Sequence, residues 1–148
     1  FDLGGLLHNS TLFENLMLPR QYHNVISVKD AEELVSFYMK ELKIDKYKNY
    51  RPSAVQGGVR KITCLIRPLL IQPDLLLIDD PTLGVSQDTL LKYFGLIQKL
   101  RVQGFARHIF ISTIDEKLMS LVEHKEIILD NGVILTEPRV GEKKVVHF

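Results

Sequence analysis

The 148-residue sequence has little of several features that mark particular classes of protein. Its single cysteine, Cys64, excludes an internal disulfide and suits a reducing compartment. No stretch approaches the roughly 18 unbroken apolar residues that a membrane-spanning helix needs. Nineteen basic and eighteen acidic residues leave a formal net charge of +1, which gives no electrostatic case for nucleic-acid binding. There is no recognisable signal peptide and the first residue is Phe1, so we expect an intracellular chain cut from a longer parent.

The first half of the sequence has the periodicity of helices. Ser27 has the position of an N-cap and Asp30 that of a first-turn acid, and apolar residues then recur on one helical face as far as Leu42. A second helical pattern follows the glycine pair at 57–58, and Pro68 interrupts it with an expected kink. We therefore predict an α-helical subdomain over about residues 27–72.

From residue 73 onward, short apolar runs alternate with helical patterns. Residues 75–78 are four consecutive apolar residues, which predicts a strand buried on both faces. The same patterns predict further strands at 108–112, 126–129 and 133–136, and further helices at 86–100 and 116–122. This alternation predicts an α/β fold with a mainly parallel sheet, in a core over about residues 73–137. The tail at 141–148 fits no predicted element.

Two consecutive carboxylates, Asp79 and Asp80, follow the apolar run at 75–78. The pattern places their charge at the carboxyl end of a predicted strand, where open α/β sheets bind ligands. In nucleotide hydrolases one carboxylate at this place holds magnesium and the next orients the attacking water. An acidic turn without chemistry would have the same pattern, so both interpretations stand at this point.

Further motifs occur in the order that they have in the nucleotide-binding domains of ATP-binding-cassette (ABC) transporters. Residues 52–61 resemble the ABC signature region, and Gly58 stands 21 positions before Asp79, which is the spacing of that family. Four other segments resemble, in chain order, the region after the Q-loop (4–19), the D-loop (81–86), the switch region (111–115) and the closing hairpin (127–134). The sequence therefore resembles a partial P-loop NTPase sheet of ABC type with an α-helical subdomain.

The resemblance implies a role for five residues. Asp79 corresponds to the carboxylate on the magnesium side, and Asp80 to the catalytic carboxylate that positions water. Gln56, Gly57 and Gly58 correspond to the contact with ATP held by the opposite subunit, where N–H groups at a helix start approach a phosphate. The implied cofactors are ATP and Mg²⁺, although we do not expect this chain alone to bind ATP tightly or to hydrolyse it.

The resemblance also implies partners and a location. Cassettes of this family pair with a membrane permease subunit, and with a second cassette subunit or a second copy of themselves, on the cytoplasmic side of the inner (plasma) membrane. The segment at 4–19, together with residues 59–61, is most similar to cassettes of bacterial lipid-transport importers that work with mammalian-cell-entry-type substrate-binding proteins. Its apolar cluster at 12–18 is either core or a contact with the membrane subunit, and the sequence leaves both open.

The phosphate-gripping P-loop is absent from the sequence. That motif needs two glycines five positions apart followed by Lys and Ser or Thr, and no two of the nine glycines have this spacing. Other positions of the family's motifs hold a different residue in this sequence. Asp2 stands in place of the Q-loop glutamine, Gln56 in place of the signature serine and Asp80 in place of the catalytic glutamate. Ser86 stands in place of the D-loop aspartate and Ile114 in place of the switch histidine. Truncation alone would not alter these positions, so we read a degenerate cassette.

The leading expectation is thus the ATP-binding subunit of an ABC transporter, or a fragment of it, that is inactive as this chain alone. The alternatives are a non-catalytic cassette that pairs with an active subunit, and a structural interaction module that kept the fold without using nucleotide. The five histidines lack metal-ligand spacing. Because the first strands of the sheet are missing, we also expect a homodimer or reliance on a partner.

Overall fold

The computed structural model describes residues 5–23, 27–121, 123–130, 132–135 and 144–147. Asp2, which aligns with the Q-loop, and Asn131, in the predicted hairpin turn, lie outside these ranges. The described helices are α1 (Leu12–His23), α2 (Val28–Glu41), α3 (Gly57–Leu69), α4 (Gln87–Val102) and α5 (Glu116–Leu121), with short 3₁₀ turns at Asp45–Tyr47 and Pro52–Ala54. The described strands are β1 (Leu75–Asp79), β2 (His108–Thr113), β3 (Lys125–Asp130), β4 (Val133–Leu135) and β5 (Lys144–His147).

The helices α1, α2 and α3 form the first part of the core. As predicted, Ser27 caps α2, because its hydroxyl oxygen accepts the N–H of Asp30 at 3.1 Å. The apolar face of α2 is buried through Val35 and Tyr38. Burial removes water from the Tyr38 hydroxyl and raises its pKa to about 12. The helix α3 begins at the predicted glycine pair and continues through Pro68 to Leu69.

The buried amide of Asn15 fixes the segment that precedes α1. Its Oδ1 accepts the N–H of Leu7 at 2.7 Å, and its Nδ2 donates to the carbonyl oxygens of Leu7 at 3.1 Å and Thr11 at 2.9 Å. Leu12 and Leu16 of the same helix are fully buried. The sequence left open whether the apolar cluster at 12–18 is core or a contact with the membrane subunit. Leu12 and Leu16 of this cluster belong to the core.

The sheet has the order β1-β2-β5-β3-β4. The strands β1 and β2 are parallel, with Leu75 opposite His108 and Asp79 opposite Ser112, as the strand–helix alternation predicts. The strand β5 lies between β2 and β3 and is antiparallel to both. The expectation that the sheet is mainly parallel is therefore wrong beyond β1 and β2, because the tail that fitted no predicted element inserts between strands that run in the same direction.

The expectation that β1 is buried on both faces is also wrong. Leu76 and Ile78 are buried, whereas Leu75 is 49% and Leu77 69% exposed. The strand β1 pairs with β2 on one edge only and is the first strand of the sheet. Within the described part of the chain the second face is therefore covered only in part, and this all-apolar strand has only one side fully in the core.

Behind the sheet, α4 packs as the sequence predicts. Its inward residues Leu90, Phe94, Ile97 and Leu100 are all buried, and the Ser86 hydroxyl caps the helix by accepting the N–H of Thr89 at 3.3 Å. Among the described helices, none is both long enough and apolar enough to cross a bilayer.

Candidate functional site at the start of α3 and the end of β1

The start of α3 and the carboxyl end of β1 face one cleft of about 430 Å³. Four residues singled out in the sequence line it: Gly57 and Gly58 from the helix, and Asp79 and Asp80 from the strand. Its other lining residues are Lys61, Leu83, Gly84, Ser112, Thr113 and Ile114. The fold therefore brings together the signature-like glycines, the paired carboxylates and the segments that resemble the D-loop and the switch region.

The two glycines have different roles in the packing. A Cβ at Gly58 would collide with the carbonyl oxygen of Gly84, whereas a Cβ at Gly57 would meet only the Arg60 guanidinium at 3.8 Å. Gly84 has a φ of +71°, a left-handed conformation that favours glycine. The close approach of Gly58 to Gly84 therefore holds the start of α3 against the loop that follows Asp80.

The first turn of α3 has amide groups available for a ligand. The first N–H groups of an α-helix have no carbonyl partner within the helix, and the Gln56 side chain makes no capping hydrogen bond to them. The positive end of the helix dipole is at the same place. Backbone N–H groups at Gly57 and Gly58 suit an anionic group at this end of the helix, and the Gly84 carbonyl oxygen occupies the space beside Gly58, so Gly57 is the more open of the two.

Asp79 is held from two sides. Its Oδ1 accepts the Ser112 hydroxyl, from the residue directly opposite on β2. Its backbone carbonyl oxygen accepts Lys61 Nζ at 3.0 Å, which joins α3 to the end of β1. The position of the carboxylate is thus determined by a neighbouring strand and a helix, although its side chain is largely exposed.

Asp80 occupies an unusual backbone conformation. Its φ is +38°, in the left-handed region that costs energy for a residue with a side chain. Its N–H donates to the carbonyl oxygen of Ser112 at 2.8 Å, and its Oδ1 accepts the Thr82 hydroxyl at 3.0 Å. These bonds orient the carboxylate at the point where the chain leaves the sheet.

Of the other positions that differ from the family's motifs, one lies in the cleft and two do not. Gln56 is the exposed N-cap residue of α3, directly before Gly57, and it is not among the residues that line the cleft. Ser86 is used as the cap of α4. Ile114 lies in the cleft with 69% of its surface exposed, and it offers no hydrogen bond there.

The arrangement fits magnesium nucleotide only in part. The carboxylates of Asp79 and Asp80 are of the oxygen type that Mg²⁺ prefers, and the helix start suits a phosphate. Lys61 is the one cation among the residues that line the cleft in the described chain, and its ammonium is bonded to a backbone carbonyl. No cluster of three His, Cys, Asp or Glu side chains suited to a metal occurs within the described ranges.

Sequence reasoning missed four residues of the site: Lys61, Thr82, Gly84 and Ser112. The signal for Gly84 was present, because a glycine within a loop marks a position with restricted space or a positive φ. Ser112 and Thr82 carry no such signal, since single hydroxyl residues are common and their role depends on which strand lies next to Asp79.

Comparisons with known proteins show which proteins this chain is similar to. No protein-family model matches the chain. The lipoprotein-releasing system ATP-binding protein LolD of Francisella tularensis is 29% identical over 120 residues, which is 81% of this chain and 52% of that protein. LolD of Legionella pneumophila is 28% identical over 127 residues, which is 86% of this chain and 55% of that protein. The chain thus spans about half the length of these curated relatives.

Solved structures give the same fold. A dimeric structure of the bacterial ABC transporter cassette MJ0796 superposes with a TM-score of 0.73 at 24% identity, covering 89% of this chain and 57% of that one. A second structure of MJ0796, in a dimeric post-hydrolysis state bound to ADP and Pi, superposes with a TM-score of 0.72 over the same share of both chains. Together, the motifs, the α/β fold and these relatives show that most of this chain is similar to the ATP-binding cassettes of ABC transporters.

Proposed function

We propose that this chain is the later half of the ATP-binding subunit of an ABC transporter, with degenerate catalytic motifs. The observation that carries the proposal is the cleft at which Gly57 and Gly58 of α3 meet Asp79 and Asp80 of β1. In this proposal the glycine amides contact a phosphate of ATP held by a second subunit. Asp79 is the carboxylate on the magnesium side, and Gln56 stays outside the contact.

Degeneracy is part of the proposal. A side chain one methylene shorter than glutamate holds the Asp80 carboxylate roughly 1.5 Å further from a water that it would position, and misplacement on that scale costs a large factor in rate. Ile114 cannot bond a γ-phosphate. With no P-loop in its sequence, this chain supplies no nest of N–H groups for a triphosphate. It therefore contributes one side of a composite site.

The names of the relatives support a transport role connected with lipid. LolD belongs to a lipoprotein-releasing system, and the segment at 4–19 is similar to cassettes of lipid importers. We propose a membrane permease and a second cassette as partners, at the cytoplasmic face of the inner membrane. The competing function is a structural or regulatory module that kept the fold and uses no nucleotide. The exposed Ile114, at the position that corresponds to the switch histidine, favours that second function.

A titration of the ¹⁵N-labelled chain with Mg-ATP, followed by NMR, separates the two functions. The composite-site proposal expects shifts of the Gly57, Gly58 and Val59 amide signals with millimolar affinity, because only part of a site is present. The matched control is Asp79→Asn, which should weaken the shifts that require magnesium but keep those caused by ATP alone.

Absence of any shift at about ten millimolar Mg-ATP would contradict nucleotide contact and favour the structural module. A micromolar dissociation constant would contradict the degenerate half-site. It corresponds to about −8 kcal/mol, which the residues of this cleft cannot supply without a P-loop.

A further inference from the structure

The strand β5 connects two parts of the sheet that do not otherwise pair. Within the described strands, β2 pairs with β1 and β5, and β3 pairs with β4 and β5. Without β5 the sheet would consist of two separate two-stranded ladders. The strand Lys144–His147 therefore joins these two ladders into one sheet.

The direction of β5 is unusual for an interior strand. The strands β1, β2 and β3 all run the same way, because β1 and β2 are parallel and both β2 and β3 are antiparallel to β5. In α/β proteins an antiparallel strand commonly lies at the edge of an otherwise parallel sheet. Here it fills an interior position between two parallel strands joined through the helix α5. That position holds a single strand. A strand parallel to both β2 and β3 would also fit it, because these two neighbours run in the same direction.

The strand β5 also begins next to the cleft. Its first residue, Lys144, lies opposite Thr113 and its second, Val145, lies opposite Ser112. Thr113 and Ser112 both line the cleft, and the Ser112 hydroxyl holds Asp79. Whatever strand occupies this position therefore supports the backbone that positions the carboxylate.

We infer that Lys144–His147 completes the sheet by filling the position between β2 and β3. We call it a self-completing strand, because it comes from the same chain and fills a position that a parallel strand would also fit. Curated relatives are about twice the length of the matched region, so they carry further segments that could supply such a strand. The position holds one strand at a time. A further strand can therefore enter between β2 and β3 only by displacing β5. This inference does not depend on nucleotide binding.

Hydrogen exchange on the full chain tests the joining role of β5. Val146→Pro removes a backbone N–H from the middle of the strand and adds a ring that a central strand does not accommodate. The matched control, Val146→Thr, keeps the β-branched shape and the N–H. We expect the amides of 110–113 and 125–128 to exchange at least about tenfold faster in the proline variant only, while those of α2 and α3 keep more of their protection. Unchanged exchange in both strands would overturn the inference.

Because the proline variant could unfold altogether, a disulfide pair provides the second test. Lys125 of β3 lies directly opposite His147 of β5, and opposed residues of antiparallel strands have the Cα separation that a disulfide needs. In a Cys64→Ser background, Lys125→Cys with His147→Cys should oxidise within one chain. Lys125→Cys with Val146→Cys should not, because a shift of one residue turns the side chain to the other face.

Each result of the disulfide experiment decides the question. Selective closure of the opposed pair in the monomer supports β5 as a strand of its own sheet. Equal closure of both pairs would mean that 144–147 has no fixed register, and would overturn the inference. Disulfide-linked dimers alone would overturn it too, since the strand would then come from a second copy.

Discussion

The Cα of Gly58 faces the backbone carbonyl of Gly84 so closely that no side chain fits between the start of α3 and the loop after β1. We predict that Gly58→Ala lowers the free energy of unfolding by about 1–3 kcal/mol, the usual cost of overpacking. Gly57→Ala is the matched control, since a Cβ there makes only an ordinary contact with the Arg60 guanidinium. Equilibrium urea unfolding of the two variants measures the difference. Equal stability of both would show that the loop at Gly84 moves aside without cost.

The hydroxyl of Tyr93 is buried and has no hydrogen-bond partner among the residues that the structure describes. Tyr93 is 1% exposed, and this burial raises the pKa of its hydroxyl. Tyr93→Phe removes an unsatisfied polar atom, so we expect the free energy of unfolding to rise by about 1 kcal/mol. Tyr50→Phe, at an exposed ring, should change nothing. A loss of stability in Tyr93→Phe, again from urea unfolding, would mean that the hydroxyl has a partner in solution.

The ion pair of Arg107 and Asp74 predicts a pH dependence. Arg107 Nε donates to Asp74 Oδ1 at 2.5 Å and Arg107 Nη2 to Asp74 Oδ2 at 3.0 Å, which lowers the pKa of the carboxyl. A lowered folded pKa contributes stability above the unfolded pKa of about 3.9, and this contribution is lost as the pH falls through the folded value. Both side chains are exposed, so the effect is small.

The corresponding measurement compares Asp74→Asn with the wild type at two pH values. The wild type should have the higher urea midpoint at pH ~7, and the two midpoints should converge as the pH falls through the lowered pKa of Asp74 and its carboxyl is protonated. Glu32→Gln, at an exposed carboxylate of α2, serves as the control and should show a smaller difference at pH ~7. A difference between Asp74→Asn and wild type that persists unchanged at low pH would contradict the ion pair as its cause.

The free edge of β1 predicts association. Leu77 is 69% exposed on a strand that is paired on one side, and such edges bind a further strand or a partner surface. We expect a homodimer, or reliance on a partner, in sedimentation velocity at tens of micromolar protein. Leu77→Lys should shift the profile towards monomer, whereas Leu91→Lys on α4 should not. A purely monomeric wild type would contradict this prediction.

The apolar residues of α1 divide into a buried set and a surface set. Leu16 is 1% exposed, whereas Phe13 and Met17 are partly exposed, and Lys48 Nζ lies 4.0 Å from the centre of the Phe13 ring. We predict that Phe13→Ser and Met17→Ser each reduce pull-down of the transporter's membrane subunit while the melting temperature is largely kept. Leu16→Ser should instead lower the melting temperature strongly. A drop of many degrees in both surface variants would place Phe13 and Met17 in the core.

Local patterns were sufficient for most of the secondary structure. The Ser27 cap, the inward face of α4 and the parallel pairing of β1 with β2 are all confirmed, because caps, helical periodicity and short apolar runs act over a few residues. The division into a subdomain at 27–72 and a core at 73–137 stays a prediction. The exposure of Leu77 was not predictable, since an apolar run does not reveal whether a covering layer exists on each side.

The candidate site divides in the same way. The sequence by itself determined that two glycines begin a helix and that two carboxylates end a strand. The spacing of 21 positions between Gly58 and Asp79 matched that of the family, which linked the two motifs. Only the tertiary structure decided that Gly84 fits against Gly58, that Ser112 holds Asp79 and that the tail at 144–147 enters the middle of the sheet. These relationships join residues far apart along the chain, and a strand pairs by its backbone, whose hydrogen bonds are the same for almost any sequence.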